Sequence, residues 1–248
     1  MNSIRTSDIL VEIISPVVGG DGEFRTISEK VLSGQLALPD SITRKRAAWH
    51  ESLKSPTSKP SDIVVVSSDC VRANPICDEA REAAMAWMQE RGLPDLRERA
   101  SVSPLGCVAA SFHHDLSAFG DSVFCVVWTE EGCGLELVFP ALDVRVPLSF
   151  GTIVVFDAGQ PHGVIRKGLK VFNARSYTTL PMQTFLSFDF GAAVPGVPEA
   201  MGITLLTTDA GWPGYVDYSM EPGFQVQRAT GKWITPKRGR FRPEASPQ

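Results

Sequence analysis

From Leu105 onward the chain repeats one pattern: stretches of about five to ten β-branched and aromatic residues between glycine and proline breaks. The spacing predicts strands near 105–113, 122–128, 133–139, 142–148, 151–157, 162–166, 170–180 and 185–190. Leu142, Val144, Val146 and Leu148 alternate with polar Asp143 and Arg145, the two-residue period of a strand with one buried face. The first hundred residues follow a different rhythm. After Asn74-Pro75, Asp78 and Glu79 fall in the first turns of a predicted helix, Ile76, Ala80, Ala83 and Trp87 form its apolar stripe, and Gly92 and Pro94 stop it. A second helix is predicted over 40–54, followed by a loop at Ser55-Pro56-Thr57-Ser58-Lys59-Pro60. Past 191, glycine and proline become frequent and Trp212, Tyr215, Tyr218, Phe224 and Trp233 are scattered among them, so this part is expected to wrap the core.

Many short strands at this spacing read as a sandwich or barrel. The expected organisation is a single domain, mainly β with flanking helices: an N-terminal α/β support over 1–100, a β core over 101–190 and a C-terminal extension over 191–248. The length of 248 residues is sufficient for one such domain.

Composition narrows the function classes. With 43% hydrophobic and 21% charged residues, close to the globular average, a folded chain is expected rather than wholesale disorder or a coiled coil. The 24 basic against 28 acidic residues give −4, so there is no general field for a polyanion, and nucleic acid is set aside as a partner. The basic cluster Lys237, Arg238, Arg240 and Arg242 reads as a solvated tail. Apolar runs such as Val123–Trp128 fall far short of the ~20 residues that span a bilayer, and no secretory leader is evident. Five cysteines without a Cys-x-x-Cys pair disfavour a disulfide framework or zinc knuckle; mostly buried thiols in a reducing cytoplasm are expected. Neither a Gly-x-x-x-x-Gly-Lys loop nor a Gly-x-Ser-x-Gly elbow is present.

Of the four histidines, three fall in Ser111-Phe112-His113-His114-Asp115 and Gly159-Gln160-Pro161-His162-Gly163. In an extended segment His113 and Asp115 point to one side and His114 to the other. Joined by His162 from a later strand, they would supply two imidazoles and one carboxylate. That donor set leaves open positions on a non-haem Fe(II), because one carboxylate offsets part of the charge and neutral imidazoles suit borderline iron. The plainer alternative is two packed core histidines and an aspartate capping a turn.

The surroundings of these residues resemble known motifs. Gly151-Thr-Ile-Val-Val-Phe-Asp157-Ala-Gly159-Gln-Pro-His162-Gly-Val-Ile-Arg166 is similar to the second cupin signature, with Asp157 in place of its proline and Arg166 in place of its terminal asparagine. Gly106 through Asp115 resembles the first signature, with six residues rather than five before the histidine. Ordinary cupins carry His-x-His followed by Glu; His-x-Asp with a distant His looks like the Fe(II)- and 2-oxoglutarate-dependent dioxygenases, which share the cupin-like double-stranded β-helix, or jelly roll. Trp128 through Pro140 also resembles the glycine-marked hairpin of that superfamily, so the likeness covers about residues 105–180.

The resemblance implies His113, Asp115 and His162 as iron ligands, with 2-oxoglutarate as cosubstrate and O2 as oxidant. It implies a basic residue pairing with the distal carboxylate of 2-oxoglutarate, for which a planar guanidinium is suited. Arg175, on the expected last core strand 170–180, is the first candidate and Arg166 the second; Ser111 could touch the cosubstrate. His114 is expected to face away from the metal, and Glu136 either reaches a pocket or lies on a solvated face. The implied outcome is hydroxylation of a small molecule or a peptide or protein side chain, with release of succinate and CO2. A metal-dependent cupin working without 2-oxoglutarate (isomerase, lyase or other oxygenase), and a non-catalytic binding or sensory β-helix domain, are the alternatives. The primary substrate and the oligomeric state are not legible in the sequence.

Overall fold

A computed structural model describes residues 14–16, 23–53, 63–66, 69–70, 77–207 and 225–234. The loop at 55–60, the aromatic residues 212, 215, 218 and 224, and the basic cluster at 237–242 lie outside the described residues.

Eight consecutive strands make the core: β5 (Ser101–Cys107), β6 (Ala110–His113), β7 (Ser122–Trp128), β8 (Leu135–Phe139), β9 (Val144–Pro147), β10 (Thr152–Asp157), β11 (His162–Arg166) and β12 (Gln183–Gly191). The chain crosses between two antiparallel sheets at every step but one, the β8–β9 hairpin, which stays within a sheet. One holds β10, β7, β12 and β5 side by side, extended at its edges by β3 (Leu32–Gln35) and β4 (Val64–Val65); the other has the order β6-β11-β8-β9. Two facing sheets joined by alternate crossings define a double-stranded β-helix.

The larger sheet is buried on both faces. Phe124, Val126, Trp128, Val154 and Phe156 point between the sheets, whereas Val123, Cys125, Val127, Ile153 and Val155 point outward into a second core. Two helices cover that outer face: α1 (Asp40–Leu53), which brings Ile42 and Trp49, and α2 (Cys77–Gln89), which brings Ala80, Ala84, Met85, Trp87 and Met88. Double-sided cover explains why β7 and β10 read as unbroken apolar runs.

The N-terminal part adds a small sheet from β1 (Ile14–Pro16), β2 (Glu23–Thr26) and β13 (Leu205–Thr207). The hairpin β14 (Gln225–Val226) and β15 (Trp233–Ile234) lies beside β6, where the backbone N–H of Phe112 donates to the Arg228 carbonyl at 3.0 Å. No helix among the described residues is long and apolar enough to cross a membrane.

One expected strand is corrected. Residues 170–180 hold a single 3-10 turn, Ala174–Tyr177, capped by the Asn173 side chain, which accepts from the Arg175 N–H at 3.1 Å. Tyr177 is fully buried, stacks on Phe172 and accepts a hydrogen bond at its hydroxyl from the Arg166 N–H. An extended run could not cap locally and bury this ring at once, so the last core strand begins at Gln183 instead.

Candidate metal centre

His113 closes β6, His162 opens β11, and the two are direct partners across this antiparallel pair. Their ring centroids are 4.4 Å apart. Asp115 follows β6 by two residues and stands just before the short helix α3 (Leu116–Phe119), where its carbonyl accepts from Ala118 and Phe119 but its carboxylate makes no cap bond. That carboxylate turns to the histidines instead: Oδ1 lies 3.9 Å from His113 Nε2 and Oδ2 lies 3.6 Å from His162 Nε2. One donor atom from each of the three residues falls within 4.8 Å of the other two.

The rings are aimed by the backbone. His113 Nδ1 bonds the Ser111 carbonyl at 2.7 Å and His162 Nδ1 bonds the Gln160 carbonyl at 2.8 Å. A carbonyl only accepts, so each Nδ1 carries a proton, which in a neutral ring leaves the Nε2 lone pair on the Asp115 side. Burial, and next the neighbouring His113, push the pKa of His162 down to about 4, with Asp115 partly opposing. His162 is therefore a neutral ligand near neutral pH. The donor set fits a divalent borderline metal such as Fe(II), with one face left for other ligands.

The triad lies on the wall of a cavity of about 310 Å³ between the two sheets. Trp128 and Phe185 stack at 5.1 Å and 5° on one wall; Phe124 and Phe156 meet edge to face at 5.8 Å. Along paired β5 and β12 the lining changes from Leu105 and Phe185 to Ser103 and Ser187, then to Asp189, which accepts from the Ser101 hydroxyl. Exposed Ile63 and Val65 also line the cavity. Among the described residues that line it, none is lysine or arginine.

That observation bears on the anchor expected for a diacid. Arg175 is exposed on the 3-10 turn and is not on the cavity wall. Arg166 is also off the wall, its Nε donating to the Ser176 carbonyl at 3.1 Å. The displaced final strand is the reason: the cavity-facing positions of β12 carry Phe185, Ser187 and Asp189. The metal donors fit an iron ion, whereas the distal carboxylate of a diacid bound there would find no basic side chain among the described lining residues.

Ser111 is buried but does not line the cavity; its carbonyl, not its hydroxyl, serves the site. Glu136 turns away from the cavity, buried under Arg145 in an ion pair of 2.7 Å. The ring of His114 lies 5.3 Å from that of Trp233, and its Nδ1 accepts from the Leu116 N–H. Sequence reasoning missed the two carbonyls that aim the imidazoles, those of Ser111 and Gln160.

Fold and side chains together define a double-stranded β-helix protein with a two-histidine, one-carboxylate site at the edge of an apolar cavity. No family model matches the chain, and no curated protein matches it. Solved structures with a similar arrangement include the viral collagen prolyl hydroxylase vCPH from Paramecium Bursaria Chlorella virus-1 as a 2-oxoglutarate complex: 12% identity, TM-score 0.42, covering 64% of this chain and 93% of that one. The non-heme alpha ketoglutarate dependent carbocyclase SnoK from nogalamycin biosynthesis matches at 11% identity and TM-score 0.42, covering 65% and 79%. HygX from Streptomyces hygroscopicus, with nickel, 2-oxoglutarate and hygromycin B bound, matches at 13% identity and TM-score 0.38, covering 65% and 82%. With TM-scores below 0.5, function has to be read from the side chains of the site.

Proposed function

We propose that this chain is a non-haem Fe(II) oxygenase with 2-oxoglutarate as cosubstrate, acting on a small molecule or a peptide or protein side chain. The observation that carries the reading is the convergence of His113, Asp115 and His162, with both Nδ1 atoms engaged by backbone carbonyls, on one side of a 310 Å³ cavity. A closed structural site would add a fourth protein donor; among the described residues the cluster holds three. Iron held there would supply Lewis acidity and oxygen chemistry. The chain's own contributions are the fixed tautomers, the carboxylate that offsets metal charge, and aromatic walls that keep water from the reacting atoms. The apolar lining suits a substrate with an apolar body presented to the metal.

The cosubstrate rests on the likeness of the His-x-Asp and distal His motifs to the dioxygenase superfamily. A specific observation favours a second reading, a metalloenzyme of the same fold that works without 2-oxoglutarate: the described lining offers hydroxyls and a carboxylate but no cation. Anaerobic titration separates the two. The 2-oxoglutarate reading expects one Fe(II) per chain, uptake of 2-oxoglutarate only by the iron-loaded protein, and succinate on admission of O2 with a substrate panel. Iron uptake without 2-oxoglutarate binding or succinate selects the second reading. His113→Ala combined with His162→Ala should abolish Fe(II) binding while circular dichroism stays unchanged; undiminished binding would remove both readings.

A further inference from the structure

Asp157 occupies the place of a proline in the cupin-like motif, and its carboxylate is wholly buried. It meets an equally buried partner 132 positions away, Arg25 of β2: Nη1 lies 2.6 Å from Oδ2 and Nη2 lies 3.1 Å from Oδ1. The remaining capacity of the carboxylate is filled by the N–H groups of Ser28 and Gly159, both at 2.8 Å. Arg25 also donates from Nε and Nη2 to the Gly120 carbonyl at 3.0 and 2.7 Å, so its fork spans two separate loops.

Both loops adjoin the candidate metal ligands. The Asp157–Gln160 turn holds Asp115 by the backbone, since the Asp115 N–H donates to the Ala158 carbonyl at 2.9 Å. The same turn holds His162 through the Gln160 carbonyl on Nδ1. Gln160 is fixed in turn by its side-chain amide, which donates to the Ser28 carbonyl at 2.6 Å. Gly120 closes the short helix that begins beside Asp115. The contact is also sterically tight, for a Cβ on Gly159 would lie 2.9 Å from Ile27 Cδ1 and 2.9 Å from Leu116 Cδ2.

We infer that Arg25 and Asp157 are positioning residues for the metal centre: the segment Arg25–Ser28, outside the β-helix itself, clamps the turn that sets both Asp115 and His162. The inference rests on the metal-centre reading above. A bidentate guanidinium–carboxylate pair fixes direction as well as distance, which suits it to holding two ligands in register. Outer partners of metal ligands typically govern affinity by about 10–100-fold.

The double apolar replacement avoids leaving one buried charge unpaired, but the Ser28 and Gly159 N–H groups and the Gly120 carbonyl lose their partner, so metal affinity and ligand geometry, not stability, separate the clamp from a merely structural ion pair. The 248-residue chain is compared with Arg25→Met/Asp157→Leu and with Arg25→Lys, using Co(II) as the probe, with affinity by calorimetry and ligand geometry by the visible absorption of the bound ion. The clamp expects the double variant, at a temperature where circular dichroism shows it folded, to lose Co(II) affinity about 10–100-fold with a changed Co(II) spectrum, whatever the fall in its thermal midpoint. An ammonium in place of the guanidinium retains the charge but cannot fork between Asp157 and Gly120, so Arg25→Lys should also lower affinity. It serves as the deciding variant if the double replacement does not fold. Wild-type affinity and spectrum in either folded variant overturn the clamp alone. A wild-type chain that takes up no Co(II) overturns the metal-centre reading, and the clamp with it.

Discussion

At the residue scale, the state of His162 decides how the site responds to acid. Burial and the adjacent His113 hold its pKa down at about 4, below the ordinary imidazole value of 6.5. In the unfolded chain the ring takes up its proton on passing below about pH 6.5, while in the folded chain it stays neutral until about pH 4. The unfolded state therefore binds more protons across that interval, and stability falls as pH drops from 6.5 toward 4. At about 1.36 kcal/mol per unit, the loss is on the order of 3 kcal/mol. Thermal unfolding of the metal-free protein from pH 7 to pH 4 should show this slope, and His162→Gln should flatten it. Cys107 on the cavity wall is tuned in the opposite direction: burial, and secondarily Cys133, push its thiol up to about 12, so it is held as an inert thiol in the lining it shares with the three candidate ligands.

At the element scale, the pairing of β6 with β11 shows why side-chain parity misplaces Ser111. His162 pairs with His113 and Val164 with Ala110, so Gly163 alone faces Ser111 and Phe112. This is a bulge, two residues against one, and it brings both Ala110 and His113 onto the cavity wall. The bulge also accounts for the glycine. A Cβ on Gly163 would stand 2.9 Å from the Phe112 ring and 3.0 Å from the Ala110 carbonyl oxygen. Gly163→Ala should thus force the two ligand-bearing strands apart, costing about 1–3 kcal/mol as other overpacked sites do. Calorimetry should record a lower melting temperature together with weaker divalent-metal binding, and an unchanged variant would contradict the bulge as the setting of the site.

At the scale of the whole molecule, the metal would link parts that are remote in sequence. A divalent ion held by His113, Asp115 and His162 crosslinks β6, β11 and the start of α3, and it binds only the folded chain. At about one hundred times its dissociation constant such a ligand adds about 2.7 kcal/mol. For a chain of this size that corresponds to a rise of roughly 5–10 °C in melting temperature. Anaerobic scanning with and without Fe(II) should show the rise in the wild type and none in His162→Ala. The layers around the site supply the rigidity: α1 and α2 pack Trp49, Met85 and Met88 against the outer face of the larger sheet, leaving its inner face to the cavity.

The helices over 40–53 and 77–89 were legible because their signals are local: an apolar stripe at helical spacing, acidic first turns, a glycine and proline stop. Most core strands were legible for the same reason, and the three ligands stood out because histidine is scarce here and two of its short segments carry the pattern. The segment 170–180 misled because a run of β-prone residues does not reveal that Asn173 caps a turn and Tyr177 needs a buried place. Sequence alone thus determined the β-rich class, a property of neighbours along the chain, and pointed to three candidate donors in two short segments, whose convergence only the fold brings about. Only the tertiary structure decided which side chains line the cavity, that no described arginine does, and that Arg25 grips Asp157. Those facts depend on strand register and on contacts across more than a hundred residues, where a single bulge or a displaced strand reverses which way a side chain points.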